Sequence, residues 1–252
     1  MSVESMLQVE DLAGGYGDTA ILHGVDLQVP SGDATALLGG NGAGKTTLFS
    51  CIAGFQSINA GKVTFQGKDI TGGAVHDIAR SGMVRTFQIT QPFAKLTVHE
   101  NIAVGAYQKF HDRSQAWEHA RRVAEQVGMG AQLDQPAADL TVAGRKRLEL
   151  ARTLATDPKL LLLDEVMAGL NPSEIVEIID IIRKIRASGV TVLLIEHVMQ
   201  AVMSLSEHIY VLSYGKIIAD GAPHEVVNNP AVIEAYLGRG AADSAKPESS
   251  HA

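Results

Sequence analysis

Gly39-Gly40-Asn41-Gly42-Ala43-Gly44-Lys45-Thr46 fits the pattern G-x-x-x-x-G-K-[ST]. The apolar run ATALL precedes it and KTTLFSCIAGF follows, with Leu48 and Ile52 on one helical face and Gly54 as a stop. A glycine loop between a buried strand and a helix is the setting in which this pattern wraps a polyphosphate. Glycines let the backbone approach closely with its N–H groups turned inward, and the helix N-terminus adds partial positive charge. In that chemistry Gly39, Asn41, Gly42, Ala43, Gly44 and Thr47 line the phosphates. Lys45 holds the β and γ phosphates, and Thr46 ligates Mg2+.

Such a metal needs an acidic partner, and Leu160-Leu161-Leu162-Leu163-Asp164-Glu165 supplies one at the end of a buried strand. Side chains diverge at consecutive positions of a strand end. Asp164 is therefore free to face the metal while Glu165 addresses a water attacking the γ phosphate as general base. Cys51, on the helix after the glycine loop, reads as a small core residue.

The elements that must hold these residues are legible in outline. Leu7 to Val29 and Lys62 to Phe65 read as short strands broken by turns such as GGYGD, a small and mainly antiparallel layer. His99 to Val127 and Arg145 to Thr156 carry helical spacing, so a helical insert is expected in the middle of the chain. LLLLDE and VTVLLIEH then return as fully apolar runs, the mark of strands buried on both faces of a parallel sheet. The expected fold is α/β: a P-loop NTPase core with an antiparallel β subdomain and a helical subdomain. One domain spans 1–237, with the helical subdomain at about 95–157, and the polar tail 238–252 is expected to be disordered.

The 252 residues carry 21 Lys+Arg against 28 Asp+Glu, a net charge of −7, so no global positive field draws a nucleic-acid backbone. A single cysteine, an N-terminus without a secretory signal pattern, and no apolar run near the roughly 18 residues of a membrane span lead to a cytosolic expectation.

The glycine loop, Gln88 in RTFQ, the stretch Leu140 to Arg152, LLLLDE and His197 in LLIEH stand in the order and spacing of the ATPase subunits of ABC transporters, and the chain resembles that family over nearly its whole length. The resemblance implies ATP as the nucleotide and Mg2+ as its metal. It implies that Gln88 reaches the metal and the attacking water, that His197 contacts the γ phosphate and orients Glu165, and that Tyr16 stacks on adenine. For Tyr16, a turn residue packed on its own loop is the rival. Ala168-Gly169-Leu170-Asn171 stands where the family's D-loop crosses a dimer interface, with Ala168 and Asn171 in place of the usual serine and aspartate. The same stretch, with Pro172 and Glu174, is also a good helix start, and both readings are compatible.

Leu140 to Gly144 takes the place of the family's L-S-G-G-Q signature. Thr141 keeps a hydroxyl that would face the partner's nucleotide, but Val142 and Ala143 replace two glycines and Gly144 replaces glutamine. A left-handed conformation at such residues costs roughly 1–2 kcal/mol, which predicts a weakened contact to the partner's ATP and two composite sites of unequal strength. Arg145, Lys146 and Arg147 read as solvated helix surface, with Arg145 and Glu149 four apart in the less favourable order.

The resemblance further implies a second ABC ATPase subunit, identical or homologous, and membrane permease subunits. For an importer it also implies a periplasmic solute-binding protein, with this subunit peripheral at the cytoplasmic face of the inner membrane. RTFQ, LTVHENI and NPAVIEAYLG are similar to branched-chain amino-acid importers. Amide or urea import, lipid or polysaccharide export, and a weakly hydrolysing regulatory subunit stay open as alternatives.

Overall fold

Strands β1 (Ser5–Tyr16) and β2 (Thr19–Pro30) pair antiparallel; β2 alternates buried and exposed residues along most of its length, while register shifts in β1 interrupt its alternation. The structure, a computed structural model, describes residues 5–17, 19–86 and 92–237. β3 (Ala34–Leu38) is buried at every position and leads through the glycine loop into α1 (Lys45–Ile52). β4 (Ile58–Phe65) and β5 (Lys68–Asp69) complete a four-stranded antiparallel sheet of order β2-β1-β4-β5. The small antiparallel layer expected from the sequence is this sheet.

After α2 (Val75–Ser81) and the short β6 (Met83–Arg85) the chain leaves the core for three helices, α3 (Val98–Ala106), α4 (Arg113–Gln126) and α5 (Val142–Leu154). α3 starts on a complete capping box between Thr97 and Glu100. The helical stretch read as His99 to Val127 is two helices, because α3 ends at Ala106 and α4 begins anew on an Asp112 cap. The chain returns through β7 (Leu160–Asp164), α6 (Pro172–Ala187), β8 (Thr191–Ile195), α7 (Met199–Leu205), β9 (His208–Ser213) and β10 (Lys216–Gly221). It closes with α8 (Pro223–Val226) and α9 (Pro230–Leu237). The second sheet has the order β10-β9-β3-β8-β7-β6, parallel except for the edge strand β10.

Period two along the central strands divides the core. Leu160 and Leu162 pack with the antiparallel sheet and α1, while Leu161 and Leu163 pack with the helices of the opposite layer. Burial on both faces explains why these strands read as unbroken apolar runs. The tail 238–252 lies outside the described residues.

Candidate functional site

Register brings the expected residues together. Leu37 pairs with Ile195, and Ile195 pairs with Asp164, so the carboxyl ends of β3, β8 and β7 are level. The glycine loop, Glu196-His197 and Glu165 therefore leave the sheet along one edge, the place where open α/β sheets bind ligands.

Gly39 has no room for a side chain, since a Cβ there would collide with the Leu212 carbonyl of β9. Gly44 caps α1 with φ 107°, a left-handed conformation, and a Cβ there would meet Leu22 Cδ2 at 3.0 Å. No side chain caps α1 and no acidic residue lies in its first turn, which leaves its N-terminal N–H groups for an anion. The Lys45 ammonium donates to the carbonyls of Gly39 (2.7 Å) and Gly40 (3.1 Å), folding back across the loop. Burial lowers its pKa against the opposing pull of Glu165 and Asp164. Thr47 buries its side chain, so its backbone N–H is what it offers to a phosphate.

Asp164 is fully buried, and Arg85 Nη2 donates to its Oδ2 at 2.7 Å. Arg85 Nη1 donates to Ser50 Oγ (2.9 Å), and the Ser50 hydroxyl donates to the Thr46 carbonyl (2.7 Å). The Asp164 N–H donates to Thr86 Oγ1 at 3.1 Å. Burial pushes the Asp164 carboxyl up, Arg85 and Lys45 pull it down, and the neighbouring Glu165 adds to the rise. A buried ion pair of this kind strongly resists removal of one partner, at about 3–5 kcal/mol.

Glu165 stands beyond the strand end with φ 51°, unusual for a residue with a Cβ and typical of strain held at functional sites. Its N–H donates to the Ile195 carbonyl (3.0 Å), while its own carbonyl accepts from the Ala168 N–H (3.1 Å) and from Lys146 Nζ (3.5 Å). These bonds aim its carboxylate at His197, whose Nε2 lies 2.8 Å from Glu165 Oε1. Behind the pair, buried Glu196 accepts from the N–H groups of Met167 (3.0 Å) and His197 (3.3 Å).

The residues present fit a magnesium ion carried by nucleotide. Asp164 Oδ1 is buried and accepts no hydrogen bond among the described residues, an acceptor awaiting a donor or a cation. No group of three or more His, Cys, Asp or Glu able to hold a metal exists among the described residues. One carboxylate beside a phosphate loop suits Mg2+, which takes few protein ligands and completes its shell with water and phosphate oxygens. Gln88, the other expected metal contact, lies outside the described residues.

The structure corrects two expectations. Val142 and Ala143 are not in left-handed conformations: they form the first turn of α5, capped by Thr141, whose Oγ1 accepts from the Gly144 N–H at 3.1 Å. Helical φ and ψ suit any residue there, so the backbone is unstrained, and what distinguishes this stretch is the Val142 side chain, 57% exposed at the helix start. The basic cluster is not uniformly surface either. Arg145 is exposed and donates to the Ala138 carbonyl (3.2 Å), Arg147 pairs with Glu177, and Lys146 is buried with its ammonium toward Glu165.

Asn171 does cap α6, in a full capping box with Glu174 and with Pro172 at the first position. Tyr16 is 55% exposed at the end of β1, and the preceding Gly15 carbonyl is held by Gln56 beyond α1. Sequence reasoning missed Arg85, Ser50, Thr86 and Glu196. Their one signal was position: a cation three residues before Gln88, and an acid directly before His197.

Comparisons agree with this geometry. The family model described as "ABC transporter" matches residues 22–168, and that described as "Branched-chain amino acid ATP-binding cassette transporter" matches residues 216–242. The chain is 38% identical over 249 residues to the high-affinity branched-chain amino acid transport ATP-binding protein BraF of Pseudomonas aeruginosa, covering 92% of this chain and 98% of that one. Among solved structures, a nucleotide-free ATP-binding cassette from an ABC transporter superposes with a TM-score of 0.85 at 32% identity, over 93% of this chain and 100% of that one. The ADP conformation of an ATP-binding cassette of an ABC transporter gives a TM-score of 0.85 at 32% identity, over 93% and 99%.

Proposed function

Because the chain belongs to the ABC transporter family as an ATP-hydrolysing subunit homologous to the ATPases of branched-chain amino-acid importers, we propose that it powers branched-chain amino-acid uptake by binding MgATP at the level strand ends. One observation carries this reading: the Lys45 loop, Asp164 and the Glu165–His197 pair share one edge of the parallel sheet.

In this reading the N–H groups of Gly42, Ala43, Gly44, Lys45, Thr46 and Thr47 receive the phosphates, with Gly39 and Asn41 shaping the turn, and Lys45 exchanges its two carbonyl partners for phosphate oxygens. Magnesium, when bound with the nucleotide, neutralises charge on the β and γ phosphates. Thr46 and Asp164 hold its position from α1 and β7, with Gln88 as a third contact. Glu165 accepts the proton of the attacking water, and His197 fixes the carboxylate and meets the γ phosphate. Tyr16 stacks on the adenine. Thr141, at the start of α5, faces the nucleotide of a second cassette, so two subunits enclose two nucleotides between them. Driving closure nearly to completion requires a differential affinity of about 5.5 kcal/mol, and γ-phosphate contacts from both sides are the source proposed for it.

No helix among the described residues is long and apolar enough to cross a membrane. By its kinship with importer ATPases, the subunit is proposed to work through permease partners at the cytoplasmic face, with the solute delivered by a periplasmic binding protein. The test is reconstitution: co-purified with its membrane partners in proteoliposomes, the complex should hydrolyse ATP faster when leucine, isoleucine or valine and the binding protein are present. Stimulation by an amide or urea alone would reassign the solute.

A further inference from the structure

We propose that Arg85 is a positioning residue for the metal site: together with Ser50 it fixes the Asp164 carboxylate so that Oδ1 alone faces the magnesium ion, and it sets the spacing between the elements that carry Thr46 and Asp164. The inference rests on the reading of Thr46 and Asp164 as metal-site residues given above.

Thr46 and Asp164 lie far apart in sequence, on α1 and β7, yet a continuous chain of hydrogen bonds connects them. The Thr46 carbonyl accepts from the Ser50 hydroxyl, Ser50 Oγ accepts from Arg85 Nη1, and Arg85 Nη2 donates to Asp164 Oδ2. The guanidinium lies over the rings of Phe49 (5.8 Å) and Phe55 (6.0 Å), contacts that favour its present position. With Oδ2 taken by Arg85 and the Asp164 N–H anchored on Thr86, the carboxylate keeps one orientation, and Oδ1 is the atom left without a partner among the described residues. A planar guanidinium engages two acceptors in fixed directions, whereas an ammonium is a point charge that cannot hold both at the same spacing. Groups that orient a metal's carboxylate ligand in this way are worth about 10–100-fold in metal affinity.

A residue that merely neutralises a buried carboxylate would be replaced by any cation, so Arg85→Lys separates the two roles. Ser50→Ala leaves both Arg85 and the charge balance intact and tests the chain of bonds by itself. The experiment follows binding of a fluorescent, non-hydrolysable ATP analogue to the intact subunit, first in EDTA and then during titration with MgCl2. Arg85→Lys is expected to raise the magnesium concentration for half-saturation by about 10–100-fold, with affinity in EDTA within about twofold of wild type. Ser50→Ala is expected to shift the same quantity in the same direction by a smaller factor, and it decides the matter if Arg85→Lys does not fold. Unchanged magnesium dependence in the folded variants overturns the proposal. So does an equal loss of affinity with and without magnesium, which would mark a purely structural residue. Wild-type binding indifferent to magnesium would instead remove the metal reading of Thr46 and Asp164, and this inference with it.

Discussion

His197 Nε2 lies 2.8 Å from Glu165 Oε1, and the contact depends on Glu165 holding φ at 51°. The left-handed turn redirects the side chain from the strand axis toward the loop after β8. Replacing Glu165 by Gln keeps the shape and removes the base. ATP hydrolysis should fall by about 10²–10⁴-fold while MgATP binding persists and an ATP-bound dimer accumulates. Phosphate release and size-exclusion chromatography read the two effects, and wild-type turnover in the glutamine variant would refute the general-base role.

Lys45→Ala should abolish measurable nucleotide binding at concentrations that saturate the wild type. The ammonium is held against the loop by the Gly39 and Gly40 carbonyls and trades them for phosphate oxygens when nucleotide binds. Charge-assisted bonds of about 1.5–3 kcal/mol each are lost. Calorimetric titration with MgATP checks this, and retained affinity would mean that the loop holds phosphate by its backbone alone.

Restoring glycine at both Val142 and Ala143 should act in opposite directions on activity and stability. Gly in the first turn of α5 loosens the helix start, lowering stability by about 1–2 kcal/mol in total. Removing the exposed Val142 side chain lets the Thr141 end of α5 approach the partner's phosphate, so single-turnover hydrolysis at that site in the assembled complex should rise. An unchanged rate would show that the missing glycines do not limit the composite site.

Burial pushes the Glu196 carboxyl above the usual glutamate range, against the two N–H groups that favour its charged form. Between the ordinary and the raised value the folded chain binds more protons than the unfolded one, so stability falls as pH rises through that window. Glu196→Gln should lack this slope, although its amide nitrogen cannot accept and one of the two bonds from Met167 and His197 is lost, lowering stability by about 1–3 kcal/mol at all pH values. Urea midpoints of the two proteins across pH 4 to 8 test it, and parallel curves would contradict the assignment.

What the sequence reveals about this site follows the range of the interactions. The phosphate loop and the acidic strand end are local patterns whose context is contiguous, and they were legible with their neighbours. Asn171 as a helix cap was equally local. The Arg85–Asp164 ion pair joins residues 79 positions apart, and nothing near either one names the other. Lys146 misled for a related reason: its charge suggested solvent, but the turn of α5 points it inward to the Glu165 carbonyl. Val142 and Ala143 misled through the assumption that glycine in the family pattern implies a special backbone conformation. Here a helix begins with ordinary dihedral angles, and the difference lies in bulk.

The excursion that carries α3, α4 and α5 departs after β6 and returns into β7, and those two strands are hydrogen-bonded neighbours, with Arg85 beside Leu162. Because these strands run parallel, the arm leaves at the carboxyl end of β6, at Arg85, and re-enters at the amino end of β7, at Leu160, which is level with Met83. Its point of departure is therefore the residue whose guanidinium holds Asp164 at 2.7 Å, whereas β3 and the phosphate loop stand three places along the sheet from β6.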